Sequence, residues 1–155
     1  WVCRAKAGDT AGFFTCNDLW RPTEAAQLLV ADASALPALR HILAYQEDHN
    51  PSMLRTTVVM AVVTSDDEVE PGLAARWEAS VHSLRIIHTQ PHQETDAIIT
   101  ALRADYASTP RPGYVWASGE GELAKSVRGL AVYEWGLDTK NVTWVPYWFY
   151  GKARP

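Results

Sequence analysis

The sequence predicts an α/β fold: a mostly parallel, Rossmann-like sheet with flanking helices. Continuous apolar runs recur at residues 28–30, 56–63 and 114–117, as strands covered on both faces require. Between them lie stretches with apolar residues every three or four positions, the spacing of amphipathic helices. The two kinds alternate along the chain, which is the pattern of a parallel sheet with crossover helices.

The first unit is residues 28–45, LLVADASALPALRHILAY. Leu28, Leu29 and Val30 form a strand, Asp32-Ala33-Ser34 breaks it, and Leu36, Leu39, Ile42 and Leu43 resume on one helical face. Asp32 or Ser34 is placed to cap the first turn, and Pro37 fits there because first-turn amides have no intrahelical partner. In an open α/β sheet this turn lies at the carboxyl edge, where ligands bind. Free amides and the helix dipole favour an anion such as a phosphate at such a turn. The GxGxxG fingerprint is absent, and an ordinary capped helix satisfies the same pattern.

The remaining elements follow in order. Pro51 ends the first helix, and residues 56–63 (TTVVMAVV) form a strand running into Thr64-Ser65-Asp66-Asp67. A short helix over 71–79 carries Leu73, Ala74 and Trp77 on one side, and 84–88 (LRIIH) is a third strand. A helix over 95–106 aligns Ile98, Ile99, Leu102 and Tyr106. Pro110, Pro112 and Gly113 then punctuate the chain. A fourth strand, 114–117 (YVWA), enters the turn Ser118-Gly119-Glu120-Gly121-Glu122. The next helix runs to Trp135 with Leu123, Val127, Leu130 and Ala131 inward, and stops at Gly136. Residues 141–150 (NVTWVPYWFY) are the last strand. Residues 1–15 read differently: loose alternation about Gly8-Asp9 suggests a hairpin at the trailing edge of a β-rich domain, with 17–24 as the connection.

Composition bounds the function. At 155 residues, 47% hydrophobic and 21% charged, the chain holds one globular domain with a piece of another, and a start at Trp1 reads as an excerpt of a longer chain. A net charge of -4 argues against a general nucleic-acid binder. No apolar run approaches a membrane span and no signal-peptide pattern is present. Cys3 and Cys16 read as two reduced thiols of a cytoplasmic protein, with a disulfide between them left open.

Candidate chemistry centres on the strand-to-helix turns. Gly119 and Gly121 would let a ligand approach the backbone closely, although a plain tight connection explains them as well. Glu120 and Glu122 read as surface acids complementing a helix dipole. Ser65, Asp66 and Asp67 follow a strand end where dinucleotide folds hold the adenosine ribose; an acid there binds a 2′-hydroxyl and repels a 2′-phosphate. A solvated acidic turn is the plainer alternative. The five histidines show no HExxH spacing and form no evident metal set, and no GxSxG elbow occurs. Lys125 and Arg128 read as a solvated helix face. Trp144, Tyr147, Trp148, Phe149 and Tyr150 exceed what one buried strand face needs, leaving rings for a partner surface, a flat cofactor or a preceding N-terminal domain.

Taken together, LLVADASALPAL (28–39), YVWASGEGELAKSVRGL (114–130), EWGLDTKNV (134–142) and the Tyr-Trp pair ahead of Gly151 resemble the siderophore-interacting proteins, a family of FAD-dependent ferric-siderophore reductases. The resemblance spans nearly all of residues 26–151, and residues 1–12 look like the end of the family's FAD-binding barrel. It implies a ferredoxin-reductase-type architecture: residues 1–25 as barrel remnant and linker, and residues 26–155 as the NAD(P)H-binding domain. The implied cofactors are NADPH or NADH, with FAD held mainly by the barrel of the same chain. The implied reaction is reduction of Fe(III) to Fe(II) in a ferric siderophore, in the cytoplasm.

On this reading Asp32, Ala33, Ser34, Ala35, Ser65, Asp66, Gly119, Glu120, Gly121 and Trp148 bind cofactor, and Lys152 and Arg154 contact the substrate. Three departures stand out. Phe149 and Tyr150 replace the family's basic pair, Thr89 stands where an arginine is common, and Ala31-Asp32-Ala33-Ser34 replaces Gly-Asp-Glu-Thr. Those at Phe149, Tyr150 and Thr89 motivate a rival: a Rossmann-like docking module that has lost nucleotide binding and catalysis.

Overall fold

The computed structural model describes residues 6–10 and 20–152. The apolar runs become five strands: β1 (Gln27–Asp32), β2 (Thr57–Val63), β3 (Ser83–His88), β4 (Tyr114–Glu120) and β5 (Val142–Trp148). They pair in parallel throughout, in the order β3-β2-β1-β4-β5. The helices are α1 (Leu36–His49), α2 (Leu73–Ser80), α3 (Glu94–Asp105) and α4 (Gly121–Gly129).

The two-residue period of a strand sends successive side chains to opposite layers. Leu29 and Ala31 of β1 join Leu36, Leu39 and Leu43 of α1 and Trp77 of α2 on one face. Leu28 and Val30 join Ile98 and Leu102 of α3 and Leu123 and Val127 of α4 on the other. β1 and β4 are buried along their whole length, whereas the edge strand β3 alternates exposed and half-buried residues. That difference explains why β1 is continuously apolar and β3 is not. Each fully buried leucine or valine contributes about 1.5–3 kcal/mol to the core.

Three sequence expectations need correction. Ser118, Gly119 and Glu120 are not a turn but the end of β4, and α4 begins directly at Gly121. The strand is prolonged because Ser118 Oγ donates to the Val145 carbonyl (2.8 Å) and Glu120 pairs with Trp148 across a local irregularity. The helix expected to reach Trp135 ends at Gly129 and continues as a π-helical turn, Leu130–Glu134, closed by Trp135 N–H to the Leu130 carbonyl (3.0 Å). Phe149 and Tyr150 lie beyond β5 and fold back in a tight turn with Lys152.

Gly8 does sit in a turn, where Asp9 N–H donates to the Lys6 carbonyl (3.1 Å). The strands expected around it, and Cys3 and Cys16, lie outside the described residues. The incoming segment is anchored on the α/β core: Trp20 packs edge-on to Tyr45 at 5.8 Å, and Arg21 N–H approaches the Tyr114 hydroxyl at 3.4 Å. Among the described residues no helix is long and apolar enough to cross a membrane.

Leu39 is fully buried between α1 and the sheet. Leu39→Ala is expected to lower unfolding stability by about 2–5 kcal/mol, read from the urea midpoint at unchanged m-value.

Candidate functional site

Asp32, the last residue of β1, is almost fully buried, with 5% of its surface exposed. Its carboxylate accepts five hydrogen bonds. Oδ1 takes the Ser34 amide (2.9 Å), the Ser34 hydroxyl (2.6 Å) and the Ala35 amide (3.2 Å). Oδ2 takes the Glu120 amide (2.7 Å) and Trp148 Nε1 (3.2 Å). One side chain thereby joins the carboxyl ends of β1, β4 and β5. The strand order reverses between β1 and β4, so this is the switch point of the sheet, where open α/β folds take ligands.

The close approach of β4 depends on Gly119. Its φ of +131° is reserved in practice for glycine, and a Cβ there would lie 2.3 Å from Asp32 Cγ. Gly121 is equally restricted, because a Cβ would meet the Phe149 ring at 2.0 Å.

Glu120 is not the surface acid the sequence suggested. It is 4% exposed and caps α4, with Oε2 accepting the amides of Glu122 (2.7 Å) and Leu123 (3.0 Å). Its Oε1 receives the Tyr150 amide at 3.4 Å. The expectation of free amides for a phosphate is therefore corrected at both turns. Ser34 and Ala35 serve Asp32, Glu122 and Leu123 serve Glu120, and Phe149 lies against Gly121. A buried carboxylate stands at each place where a helix start would otherwise attract an anion.

The turn after β5 brings further groups to this edge. The Tyr150 hydroxyl donates to Glu94 at the start of α3 (2.7 Å), and its ring lies 4.2 Å from His92 and 4.5 Å from Trp148. Partial burial in this cluster, then the bond to the Glu94 carboxylate, pushes its phenol up to about 12. A cavity of about 200 Å³ is lined here by His92, Glu94, Glu120, Phe149, Tyr150 and Lys152.

A second cavity, about 410 Å³, lies between the first half of α1 and the loop from β2 to α2. Ala33, Leu36, Pro37 and Leu73 give it apolar walls, and Glu68, Glu70 and Arg40 border it. Glu68 folds back on the end of β2: Oε2 accepts the Thr64 (2.7 Å) and Ser65 (3.4 Å) amides, and Oε1 the Thr64 hydroxyl (3.0 Å). Ser65 reciprocates by accepting the Asp67 amide (3.4 Å), completing a capping box over Asp66–Glu68. The Asp66 side chain is 93% exposed and lies 3.2 Å from His88.

The structure thus gathers Asp32, Ser34, Glu120 and Trp148 into one hydrogen-bonded cluster, with Ala35 contributing an amide, and Gly119 and Gly121 making room. Ala33 faces the larger cavity instead. Ser65 and Asp66 sit in their own capped loop at the end of β2, and Lys152 borders the smaller cavity. Arg154 lies outside the described residues. Lys125 pairs with Glu122 (3.3 Å), while Arg128 is half-buried with its guanidinium 5.9 Å from the Trp144 ring. Glu68, Glu94 and His92 escaped the sequence reading. Only Glu68 carried a local signal, the Ser65-x-x-Glu68 spacing of a capping box. Among the described residues no group of three or more His, Cys, Asp or Glu could hold a metal ion.

A family model described as siderophore-interacting protein matches residues 24–151. No curated protein matches the chain. Among solved structures, the siderophore-interacting protein SipS from Aeromonas hydrophila is 26% identical, with a TM-score of 0.59 over 83% of this chain and 48% of that one. The siderophore-interacting protein from Acinetobacter baumannii is 18% identical, with a TM-score of 0.60 over 99% and 58%. The FAD/NAD-binding domain of nitric oxide dioxygenase from Vibrio cholerae shares the fold at 13% identity, with a TM-score of 0.60 over 88% and 55%. The chain spans about half the length of these relatives.

Two outcomes follow for the cluster. Asp32→Ala leaves the buried Glu120 amide and four other donors without their acceptor, and is expected to cost about 3 kcal/mol or more in urea unfolding. Tyr150 should titrate at about 12 rather than near 10 in ultraviolet difference spectra, and Tyr150→Phe should remove that transition. Because the folded pKa is raised, the stability it contributes is complete below about 10 and is lost as pH rises through about 12.

Proposed function

The chain belongs to the siderophore-interacting protein family, and from that premise we propose that it is the NAD(P)H-binding unit of a flavin-dependent ferric-siderophore reductase. In this reading it works in the cytoplasm, joined to an upstream FAD-binding barrel, with residues 1–25 as barrel remnant and linker. The observation that carries the proposal is the convergence of β1, β4 and β5 on Asp32 at the switch point of the sheet.

The residues suit the nucleoside half of a dinucleotide: apolar walls from Ala33, Leu36 and Pro37, and a carboxylate at the end of β2. When bound, the nicotinamide supplies a hydride and the flavin delivers single electrons to substrate Fe(III), whose lower charge then weakens its hold in a hard-oxygen chelate. The chain's own part is positioning. Asp32 fixes the three strand ends, so Ser34 and Trp148 keep a constant geometry around the crevice. Trp148 presents a ring whose orientation is fixed by its Nε1 bonds to Asp32 and to Ser34 Oγ (3.2 Å) and by the Tyr150 ring 4.5 Å away. Lys152 and Arg154 supply positive charge toward an anionic ferric chelate.

A second reading has its own support. Both helix starts have their amides taken by Asp32 and Glu120, and Phe149 covers Gly121, which leaves poor accommodation there for a pyrophosphate. The same fold would then serve as a docking module without nucleotide binding.

The test uses the longer protein with its flavin in place. Anaerobic NADH or NADPH should bleach the flavin, and a ferric siderophore added next should restore the oxidised spectrum while an Fe(II) chelator traps the metal. A yellow protein that neither nucleotide bleaches would remove the reductase reading and leave the docking module.

A further inference from the structure

We propose that the chain carries a second ligand site, for a small polyanion bearing phosphate or carboxylate groups, at the amino edge of the sheet. A cavity of about 570 Å³ lies there, lined by the starts of β1, β2 and β3 and by the loop between α3 and β4. At roughly 3.3 Å per residue, β1 sets Gln27 about 17 Å from Asp32, so this cavity is separate from the crevice at the carboxyl edge.

Two arginines reach the cavity from opposite neighbours of β1. Arg55 belongs to the 3-10 turn Pro51–Thr56 ahead of β2, and Arg111 to the loop ahead of β4. Their backbones are held in place. The His82 amide donates to the Leu54 (2.8 Å) and Thr57 (3.0 Å) carbonyls, Pro110 and Pro112 restrict φ on either side of Arg111, and the Gly113 amide donates to the Ala26 carbonyl (2.8 Å). Among the described residues neither guanidinium has an ion-pair partner, and Arg111 rests 5.5 Å from the Trp135 ring. The carboxylate lining the cavity, Asp105, is already taken by Arg85 Nη1 at 2.7 and 2.9 Å. The cavity therefore carries excess positive charge in a chain whose net charge is -4.

Tyr106 points to an occupant. It is 7% exposed, packs against Trp135 at 4.9 Å and lines the cavity. Its hydroxyl has no hydrogen-bond partner among the described residues, whereas the polar groups of buried side chains are as a rule bonded. Burial and then Asp105 push its phenol up, against a smaller opposite pull from Arg111, so it is a protonated donor at neutral pH. Guanidinium groups bind phosphate and carboxylate oxygens in paired, charge-assisted bonds. Two of them on either side of a free phenol donor suit an anion with more than one charged group, and Val58 and Pro112 give its body an apolar wall.

The experiment is calorimetric titration of the whole chain with inorganic pyrophosphate and, separately, citrate, with amide shifts mapped in parallel. At least one probe should bind saturably at millimolar concentration or below, moving the Ala26, Thr56 and Gly113 amides. Arg55→Gln and Arg111→Gln should each weaken binding about tenfold or more, because each removes a charged hydrogen-bond donor. Lys125→Gln, at the opposite edge, should leave it unchanged. Tyr106→Phe should also weaken binding about tenfold while keeping the urea midpoint, since its hydroxyl has no bond within the described residues to lose. Binding of neither probe at millimolar levels overturns the inference, as does an affinity indifferent to both arginine variants. Shifts centred on Ser34–Leu36 or on Glu122 and Leu123 would move the anion to the carboxyl edge and overturn it too. So would a Tyr106→Phe chain that loses stability and keeps its affinity. None of these outcomes bears on nucleotide binding at the cleft.

Discussion

The carboxylate of Asp32 is the constraint on which the rest of this structure depends. Five donors from three separate segments converge on its two oxygens. Hydrogen bonds to charged groups are worth about 1.5–3 kcal/mol each when their geometry is good, and a buried carboxylate is tolerable only when its lone pairs are filled. Its demands propagate outward. The Glu120 amide can reach Oδ2 only because Gly119 has no side chain and adopts φ +131°. That placement ends β4 at Glu120, which puts the Glu120 carboxylate over the first amides of α4.

The edge of the sheet where a ligand is expected is therefore built from acids. Helix starts attract negative charge through their unpaired amides, and here the protein supplies that charge itself, from Asp32 at one start and Glu120 at the other. The turn 149–152 adds to the effect by laying Phe149 on Gly121 and tying Tyr150 to Glu94 and Glu120. What remains open is the cavity beside α1, with apolar walls and Glu68 at its rim. The division is physically coherent: apolar area and one oriented acceptor suit a nucleoside, whereas amides already bonded to carboxylates offer little to a pyrophosphate. Family membership and fold support the proposed nucleotide, and the amides already bonded to Asp32 and Glu120 leave its phosphates few donors at the helix starts.

The fold was legible because burial on both faces leaves a plain trace. Leu28–Val30 and the run 56–63 read as strands from composition alone, and Leu36, Leu39, Ile42 and Leu43 marked the face of α1 that packs inward. The ends of elements were less legible, since local pattern does not report tertiary bonds. Ser118-Gly119-Glu120 resembles a turn until β5 supplies the Val145 carbonyl that holds it extended. Nothing near Glu120 in sequence shows that it becomes buried, because its neighbours Tyr150 and Phe149 arrive from the far end of the chain. Asp32 was legible as a cap, but its bonds to Glu120 and Trp148 span 88 and 116 residues and could not be read locally. Glu68 does carry a local signal, its capping-box spacing from Ser65.

The proposed nucleotide cleft lies at the carboxyl edge of this sheet, with its open part beside α1 and the amides of the two helix starts already bonded to Asp32 and Glu120. The most direct test is to map amide chemical shifts of this chain as NADH is added. The account predicts changes concentrated at Ala33–Leu36 and Thr64–Glu68, with the Glu122 and Leu123 amides moving little because Glu120 keeps them. Shifts centred on the opposite edge of the sheet, or none at millimolar nucleotide, would contradict it.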